Sequence, residues 1–396
     1  MINNKKINLT KLVENISYSQ TLFMSNPYPY EHSLKLSFIS NLLSREMKLE
    51  KTQRIDLYLS SLLHDIGALL SESSCLLELN KRKEINIQNH AHSGYELLRD
   101  IPFFDKIATI IKDHHNEDTQ NLLSKIIFFA DEIEVLIRNS NFTSAKEIQA
   151  KAFSIFKDKT SFKDILDAYL VVSKNDFFLF LLNNLEELKK ENSLLVEDRF
   201  EILNDEQLGD LAKTIAKNFV DAKSEFTKLH SIDVTYTAVS IAKAMGFPPM
   251  DCQKIETAGF LHDIGKIFIP LSILEKPDKL TGNEWLTMKS HAYYTYSFLN
   301  SLELEKEIVD IAAFHHEYLD GSGYPFGLTS NDLTILQRIM AVSDVYAALR
   351  QQRPYRKDRL GHDDAIEILE KMAKTGKIDM DVIKSIPYNL IMLWGY

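Results

Sequence analysis

With 396 residues, 45% of them hydrophobic and 26% charged, the chain is long enough for two soluble domains with real cores. Its 46 basic and 56 acidic residues leave a formal net charge of −10, which argues against a surface that coats a DNA or RNA polymer. Two isolated cysteines, Cys75 and Cys252, are too few for a disulfide framework and fit a reducing compartment.

Residues Met1 to Thr10 are polar and rich in Lys and Asn, without the apolar stretch of an export signal. Glycine (13) and proline (10) are scarce, and apolar residues recur at helical spacing. In Leu57–Leu63 the apolar side chains recur around two serines and lead directly into His64. No series of alternating strands separated by turn pairs is present, so the expected fold is all-α. Three parts are expected: a first domain over 1–175, a helical linker over 176–217 and a second domain over 218–396. The linker contains the longest apolar run, Phe177–Leu182, which is far too short to span a membrane. Together with the polar start, this predicts a cytoplasmic protein with no membrane partner. The linker also contains Leu185-Glu-Glu-Leu-Lys-Lys-Glu191, a connecting helix whose leucines offer a candidate homodimer face.

The two domains repeat one plan. Leu-His-Asp-Ile-Gly stands at Leu63–Gly67 and again 198 residues later at Leu261–Gly265. His32-Ser33 and His230-Ser231 have the same offset. His92 follows the first His-Asp pair by 28 residues and His291 follows the second by 29. Each half then carries a His-His pair, His114-His115 and His315-His316, and a late aspartate behind apolar residues, Asp131 and Asp344. The second half alone inserts a Gly/Pro-rich loop, Asp320-Gly-Ser-Gly-Tyr-Pro-Phe-Gly327.

By this alignment ten of the twelve histidines fall in the repeated pattern, leaving only His90 and His362 outside it. A buried, hydrogen-bonded core position would account for one histidine, but not for five with two aspartates at matched spacing in both halves. Seven ligand groups per half exceed what one tetrahedral zinc needs. They suit two octahedral first-row ions, Fe or Mn, about 4 Å apart, which share a bridging hydroxide and clamp a phosphoryl group.

In these residues the second half resembles the HD-GYP subgroup of the HD metal-dependent phosphohydrolases. The matching motifs are His230-Ser231, His262-Asp263-Ile-Gly-Lys266, His291, His315-His316-Glu317, Asp320-Gly-x-Gly-Tyr-Pro325, Asp344 and Arg353-Pro-Tyr-Arg356. The resemblance implies two tandem helical HD-type bundles, the first without the Gly-Tyr-Pro loop. It also implies hydrolysis of cyclic di-GMP to the linear dinucleotide or to GMP, with mixed cyclic GMP-AMP as an alternative substrate. The implied metal ligands are His230, His262, Asp263, His291, His315, His316 and Asp344, with Asp263 as the bridge. Lys266 would meet the phosphate or the developing charge. Arg353 and Arg356 would hold phosphates or guanine edges, and Asp320, Gly321, Gly323, Tyr324 and Pro325 would border the substrate. Family members with three metals carry Glu four residues before the first His; here that residue is Phe226, and Glu225 lies about 100° around a helix from it. Two metals are therefore expected. Ala347 stands where the family often has Asp.

The first half keeps seven ligand types in His32, His64, Asp65, His92, His114, His115 and Asp131, a candidate second metal site. Ala68 replaces Lys266, and the Arg353/Arg356 pair has no counterpart. Regulatory, catalytic and relic roles are all open for this half, and the regulatory one is preferred because no other sensor domain is visible. For the whole chain, a general nucleotide phosphohydrolase and a non-catalytic nucleotide-binding signalling protein stand as the competing readings.

Overall fold

The computed structural model of the chain describes residues 4–23, 28–69, 84–139, 144–223, 229–351, 359–388 and 390. It divides into two compact units, one of residues 13–199 and one of residues 1–12 with 200–396. Helices dominate both, as the helical spacing predicts. The described strands are β1 (Lys5–Asn8) and β2 (Phe200–Leu203), an antiparallel pair with Lys5 opposite Leu203.

The helices in chain order begin with α1 (Leu9–Phe23), α2 (Tyr28–Glu46), α3 (Lys51–Leu63), α4 (Glu84–Leu98), α5 (Asp105–Lys112) and α6 (Leu122–Arg138). They continue with α7 (Ala145–Phe156), α8 (Lys163–Val172), α9 (Phe177–Leu182) and α10 (Leu185–Leu195). The second unit adds α11 (Asp205–Ile215), α12 (His230–Ala244), α13 (Pro249–Leu261), α14 (Leu271–Leu274) and α15 (Gly282–Ser301). It closes with α16 (Lys306–Ala313), α17 (Ile335–Arg350), α18 (His362–Lys374) and α19 (Met380–Lys384).

In the 13–199 unit, α2 packs on α3 and α6, and α4 packs on α5 and on the 3₁₀ turn Ile66–Leu69. The core behind them is built from Phe38, Ile39, Leu57, Phe129, Phe156, Tyr169 and their neighbours. Phe129 lies 4.5 Å from Phe156 and 5.4 Å from Tyr169 between ring centroids, at tilted and edge-on angles that aromatic quadrupoles favour.

This core accounts for a departure from the expected linker. Phe178, Leu182 and Leu188 are buried in it, with Leu185 and Leu195 packed against it. The apolar positions offered as a dimer face at Leu185 and Leu188 are thus used internally, because burying them removes apolar surface from water at no oligomerisation cost. The rest of 176–217 belongs elsewhere: β2 pairs with β1, and α11 packs on α13. The expected linker is divided between the two units at Arg199 and Phe200.

The second unit repeats the arrangement. Helix α12 packs on α13 and α17, and α15 packs on α16 and on the 3₁₀ turn Ile264–Phe268. Two of these helices start at capping boxes, Thr281 with Glu284 for α15 and Thr334 with Gln337 for α17. Each box satisfies two backbone N–H groups that the first turn cannot pair.

Candidate metal centres

In both units the His-Asp pair sits where a helix gives way to a 3₁₀ turn: His262 ends α13 and His64 ends α3. The glycine two residues after each aspartate lets that turn lie on the next helix. A Cβ on Gly265 would come within 2.0 Å of the His291 carbonyl oxygen, and one on Gly67 within 2.1 Å of the His90 carbonyl oxygen. No side chain fits at either position. Thr295 bolts the second turn in place: its hydroxyl donates to the His262 carbonyl at 2.9 Å and accepts from Gly265 N–H at 3.0 Å.

In the second unit all seven expected side chains converge. Asp263 is the centre, and its two oxygens face different partners. Oδ2 lies 3.3 Å from His262 Nε2 and 3.6 Å from His230 Nε2. Oδ1 lies 3.5 Å from His291 Nε2 and 3.9 Å from His315 Nε2. Asp344 completes the first set, 3.1 Å from His230 Nε2, and also reaches His316 Nδ1 at 3.7 Å. His230, His262 and Asp344 therefore form one ligand group, and His291, His315 and His316 another.

The other ring nitrogens decide which atoms are free to ligate. His262, His291 and His315 donate from Nδ1 to the carbonyls of Gly259, Met288 and Ala312 at 2.6–2.7 Å. His230 Nδ1 donates to Gln351 Oε1 at 2.9 Å, and Gln351 Nε2 donates on to Asp233 at 2.7 Å. These bonds fix the Nε2 lone pairs inward, the arrangement that metal-bound imidazoles use. His262 Nε2 is buried and, though 3.3 Å from Asp263 Oδ2, makes no well-aligned hydrogen bond. An acceptor in that position is costly unless a cation takes it.

Protonation agrees. Burial pushes His291 down to about 3 and His316 to about 4, and holds His315 well below the usual imidazole range. All three are neutral at physiological pH and keep a lone pair to offer. Burial alone would raise Asp263, but Lys266, His262 and His291 outweigh it and hold the carboxyl well below its ordinary range. This donor set of imidazole nitrogens and carboxylate oxygens fits divalent metal ions.

The pocket over these residues has a volume of about 360 Å³ and is also lined by Lys266, Trp285, Met288, Tyr318 and Tyr324. Lys266 Nζ lies 2.5 Å from Asp263 Oδ2. Within the Gly-Tyr-Pro loop only Tyr324 lines the pocket, its ring tilted on His316 at 4.7 Å. Asp320, Gly321, Gly323 and Pro325, expected beside substrate, do not line it. Asp320 is exposed and holds the loop instead, accepting from the N–H and hydroxyl of Ser322. Gly321 has φ +77°, and a Cβ on Gly323 would clash with Glu317 and Tyr318 backbone at 2.4–2.5 Å. Glu317, buried, receives the N–H groups of Phe326 and Leu328 and so anchors the loop beside the His-His pair. Arg353, Arg356, Glu225 and Phe226 lie outside the described residues.

The first unit builds the same constellation with one change. Asp65 Oδ2 lies 3.3 Å from His64 Nε2, and Asp65 Oδ1 lies 3.1 Å from His90 Nε2. His90 Nε2 is also 3.3 Å from His114 Nε2 and 3.1 Å from His115 Nε2. Asp131 lies 3.4 Å from His32 Nε2. The two ligand groups are His32, His64 and Asp131, and Asp65, His90, His114 and His115. His92, expected here from its spacing, is a surface residue with a 65% exposed side chain beside Glu96. Both helices begin 20 residues after the histidine of the pair, but the ligand position lies six residues past the start of α4 and nine past the start of α15, so the matched intervals of 28 and 29 residues point to His92 instead of His90. The backbone contacts of Gly67 and Gly265 give the true correspondence, His90 with His291. Glu134, like Gln351, is a partner that no sequence motif marks: its carboxylate accepts from His32 Nδ1 at 2.7 Å, where His230 has neutral Gln351. Burial alone would lower His32, but Glu134 and Asp131 raise it to about 10.

A family model described as HD domain matches residues 210–382, and a second HD-domain model matches residues 30–136. The chain belongs to the HD-domain superfamily. Both HD domains thus carry the ligand geometry described above, and the second, with its Gly-Tyr-Pro loop, is related to the HD-GYP branch. Among curated relatives, 3′3′-cGAMP-specific phosphodiesterase 1 of Vibrio cholerae is 27% identical over 381 residues, 90% of this chain and 86% of that protein. The 3′3′-cGAMP-specific phosphodiesterase 3 of the same organism is 29% identical over 320 residues, 78% of this chain and 68% of that protein. A cyclic di-GMP phosphodiesterase of Pseudomonas aeruginosa is 36% identical over 163 residues, 41% of this chain and 38% of that protein. The crystal structure of a cyclic GMP-AMP-specific phosphodiesterase of Vibrio cholerae shares the fold, with a TM-score of 0.59 at 21% identity over 96% of this chain and 97% of that one. No helix among the described residues is long and apolar enough to cross a membrane.

Proposed function

We propose that the second HD domain is a metal-dependent phosphodiesterase that opens a cyclic dinucleotide. The observation that carries this reading is the division of Asp263 between two ligand groups. His230, His262 and Asp344 would hold one divalent ion, His291, His315 and His316 the other, and Asp263 would join them. When bound, the ions supply an activated water and neutralise charge on the phosphoryl oxygens. Fe and Mn suit the mixed imidazole and carboxylate donors. The chain's own residues do the rest. Asp263, Asp344 and the Nδ1-locked histidines set the reacting centre without reorganisation, and Lys266 holds positive charge at the pocket wall.

The substrate class follows from the relatives. Those that match across both HD domains are named for 3′3′-cGAMP, which favours that substrate. The ones named for cyclic di-GMP match at 30–43% identity over 28–41% of this chain, which keeps cyclic di-GMP as the second reading. The first HD domain, with its own ligand set but Ala68 in place of Lys266, would hold metal and serve regulation.

The test is turnover of both cyclic dinucleotides with Mn or Fe, for the wild type, His262→Ala and His64→Ala. Loss only in His262→Ala supports catalysis in the second domain. Turnover of dNTPs above that of either cyclic dinucleotide would replace the reading with a general nucleotide phosphohydrolase. No turnover of any nucleotide would leave the signalling-adaptor reading.

A further inference from the structure

Trp285 stands on the pocket wall with no part in either ligand group. It lies in the first turn of α15, six residues before His291 and so about 9 Å along the helix axis from that ligand. The turn is pinned from several sides. The Thr281 hydroxyl and the Glu284 carboxylate cap each other's backbone N–H groups, and Lys276 pairs with both Glu284 oxygens at 2.7–2.8 Å. The Trp285 N–H donates to the Thr281 carbonyl at 2.8 Å. A rigid support therefore holds an indole that is 48% exposed, although indoles are normally well covered.

The pocket's two tyrosines are already engaged, Tyr318 by the Lys377 ammonium 5.4 Å from its ring centroid. One side of Tyr324 tilts on His316, and the Lys289 ammonium lies 5.8 Å from its ring centroid. Tyr324 meets Trp285 edge-on at 6.4 Å, so the pair forms a corner with the indole as its open wall. Met288 and Leu349 add apolar lining to the same pocket. An open aromatic face set back from a phosphate-binding centre is what a nucleobase requires, because every base offers a π-face.

We infer that Trp285 is the stacking platform for one purine of the bound cyclic dinucleotide. This rests on the substrate class proposed above. Stacking does not read hydrogen-bonding edges, so the indole adds affinity for guanine and adenine alike and leaves the choice between them to other groups.

The experiment uses the intact, metal-loaded protein with Trp285→Ala and Trp285→Phe. In Trp285→Ala the KM for cyclic di-GMP and for 3′3′-cGAMP rises about tenfold in parallel, with kcat within about twofold. Trp285→Phe recovers most of the loss. Metal content and inhibition by inorganic phosphate, which fills the phosphate site without reaching the indole, stay at wild-type values. Turnover by the wild type with an unchanged KM in Trp285→Ala overturns the inference. Binding is read separately by stopped-flow fluorescence in a Trp394→Phe background, which leaves Trp285 as the single tryptophan of the chain's two. Quenching by either cyclic dinucleotide supports the platform even where turnover is absent, a result that would sink only the proposed reaction. No quenching overturns it.

Discussion

Replacing His90 and His92 one at a time separates the geometric correspondence of the two HD domains from the correspondence by spacing. His90 Nε2 lies within 3.1–3.3 Å of Asp65, His114 and His115, so its removal takes one donor from a group of four. Losing a residue that merely supports a ligand typically costs 10- to 100-fold in metal affinity. Losing the ligand itself should reach the upper end, about 100-fold or about 2.7 kcal/mol. At a free-ion concentration about ten times the wild-type Kd, occupancy of that position falls from about 90% to about 10% in His90→Ala. His92 is 65% exposed on its side chain, and its replacement should change affinity by no more than about twofold. Metal per chain, measured by elemental analysis of full-length protein equilibrated in buffered Mn, reads both variants directly. The result drops by about 0.8 ion per chain for His90→Ala and hardly at all for His92→Ala. Equal losses in the two variants, or a loss only in His92→Ala, would refute the assignment and restore the spacing-based one.

Three further outcomes are expected. Asp263→Asn keeps the shape but removes the charge shared between the two ligand groups, and should lower turnover by about 10²- to 10³-fold with loss of metal from the second domain; retention of both would show that Asp263 does not join the groups. Gln351→Leu removes the acceptor of His230 Nδ1 and a donor to buried Asp233, so metal affinity measured by chelator competition should fall about 10- to 100-fold. Asp221 is buried, accepts from Ser231 at 2.9 Å and is pushed up to about 7 by that burial. The folded state thus binds its proton more tightly than the unfolded state, so metal-stripped protein should lose stability as pH rises from about 4 through 7. Urea titrations of Asp221→Asn should show a flatter profile over that window, and an unchanged slope would remove Asp221 as its source.

Much of this molecule is written locally. Helical spacing and the scarcity of glycine predicted the helices, and the duplicated Leu-His-Asp-Ile-Gly marked two related halves. The side chains that converge in the second unit were legible in full because each stands in a short motif whose neighbours also match. The strand pair was not legible: four residues on each side, 192 apart between Asn8 and Phe200, carry no local signal for one another. The unit boundary at Arg199 was hidden for a related reason, since α9 and α10 look like a connector until Phe178 and Leu188 are seen filling the core behind α2.

His90 marks the limit of sequence order. Counting along the chain measures contour length, whereas a ligand is chosen by where its helix lies against the His-Asp turn. That position is set by the contact of Gly67 with the His90 backbone, which the different depth of the histidine in its helix conceals. The same holds for Gln351 and Glu134, far from their histidines in sequence and bonded to them only through the packing of α12 on α17 and α2 on α6. The sequence by itself determined the helical class, the duplication and the chemistry of the donors. Tertiary structure alone decided which donors meet and which oxygen of Asp263 each faces, because those depend on helices brought together by core packing rather than on the order of residues along them.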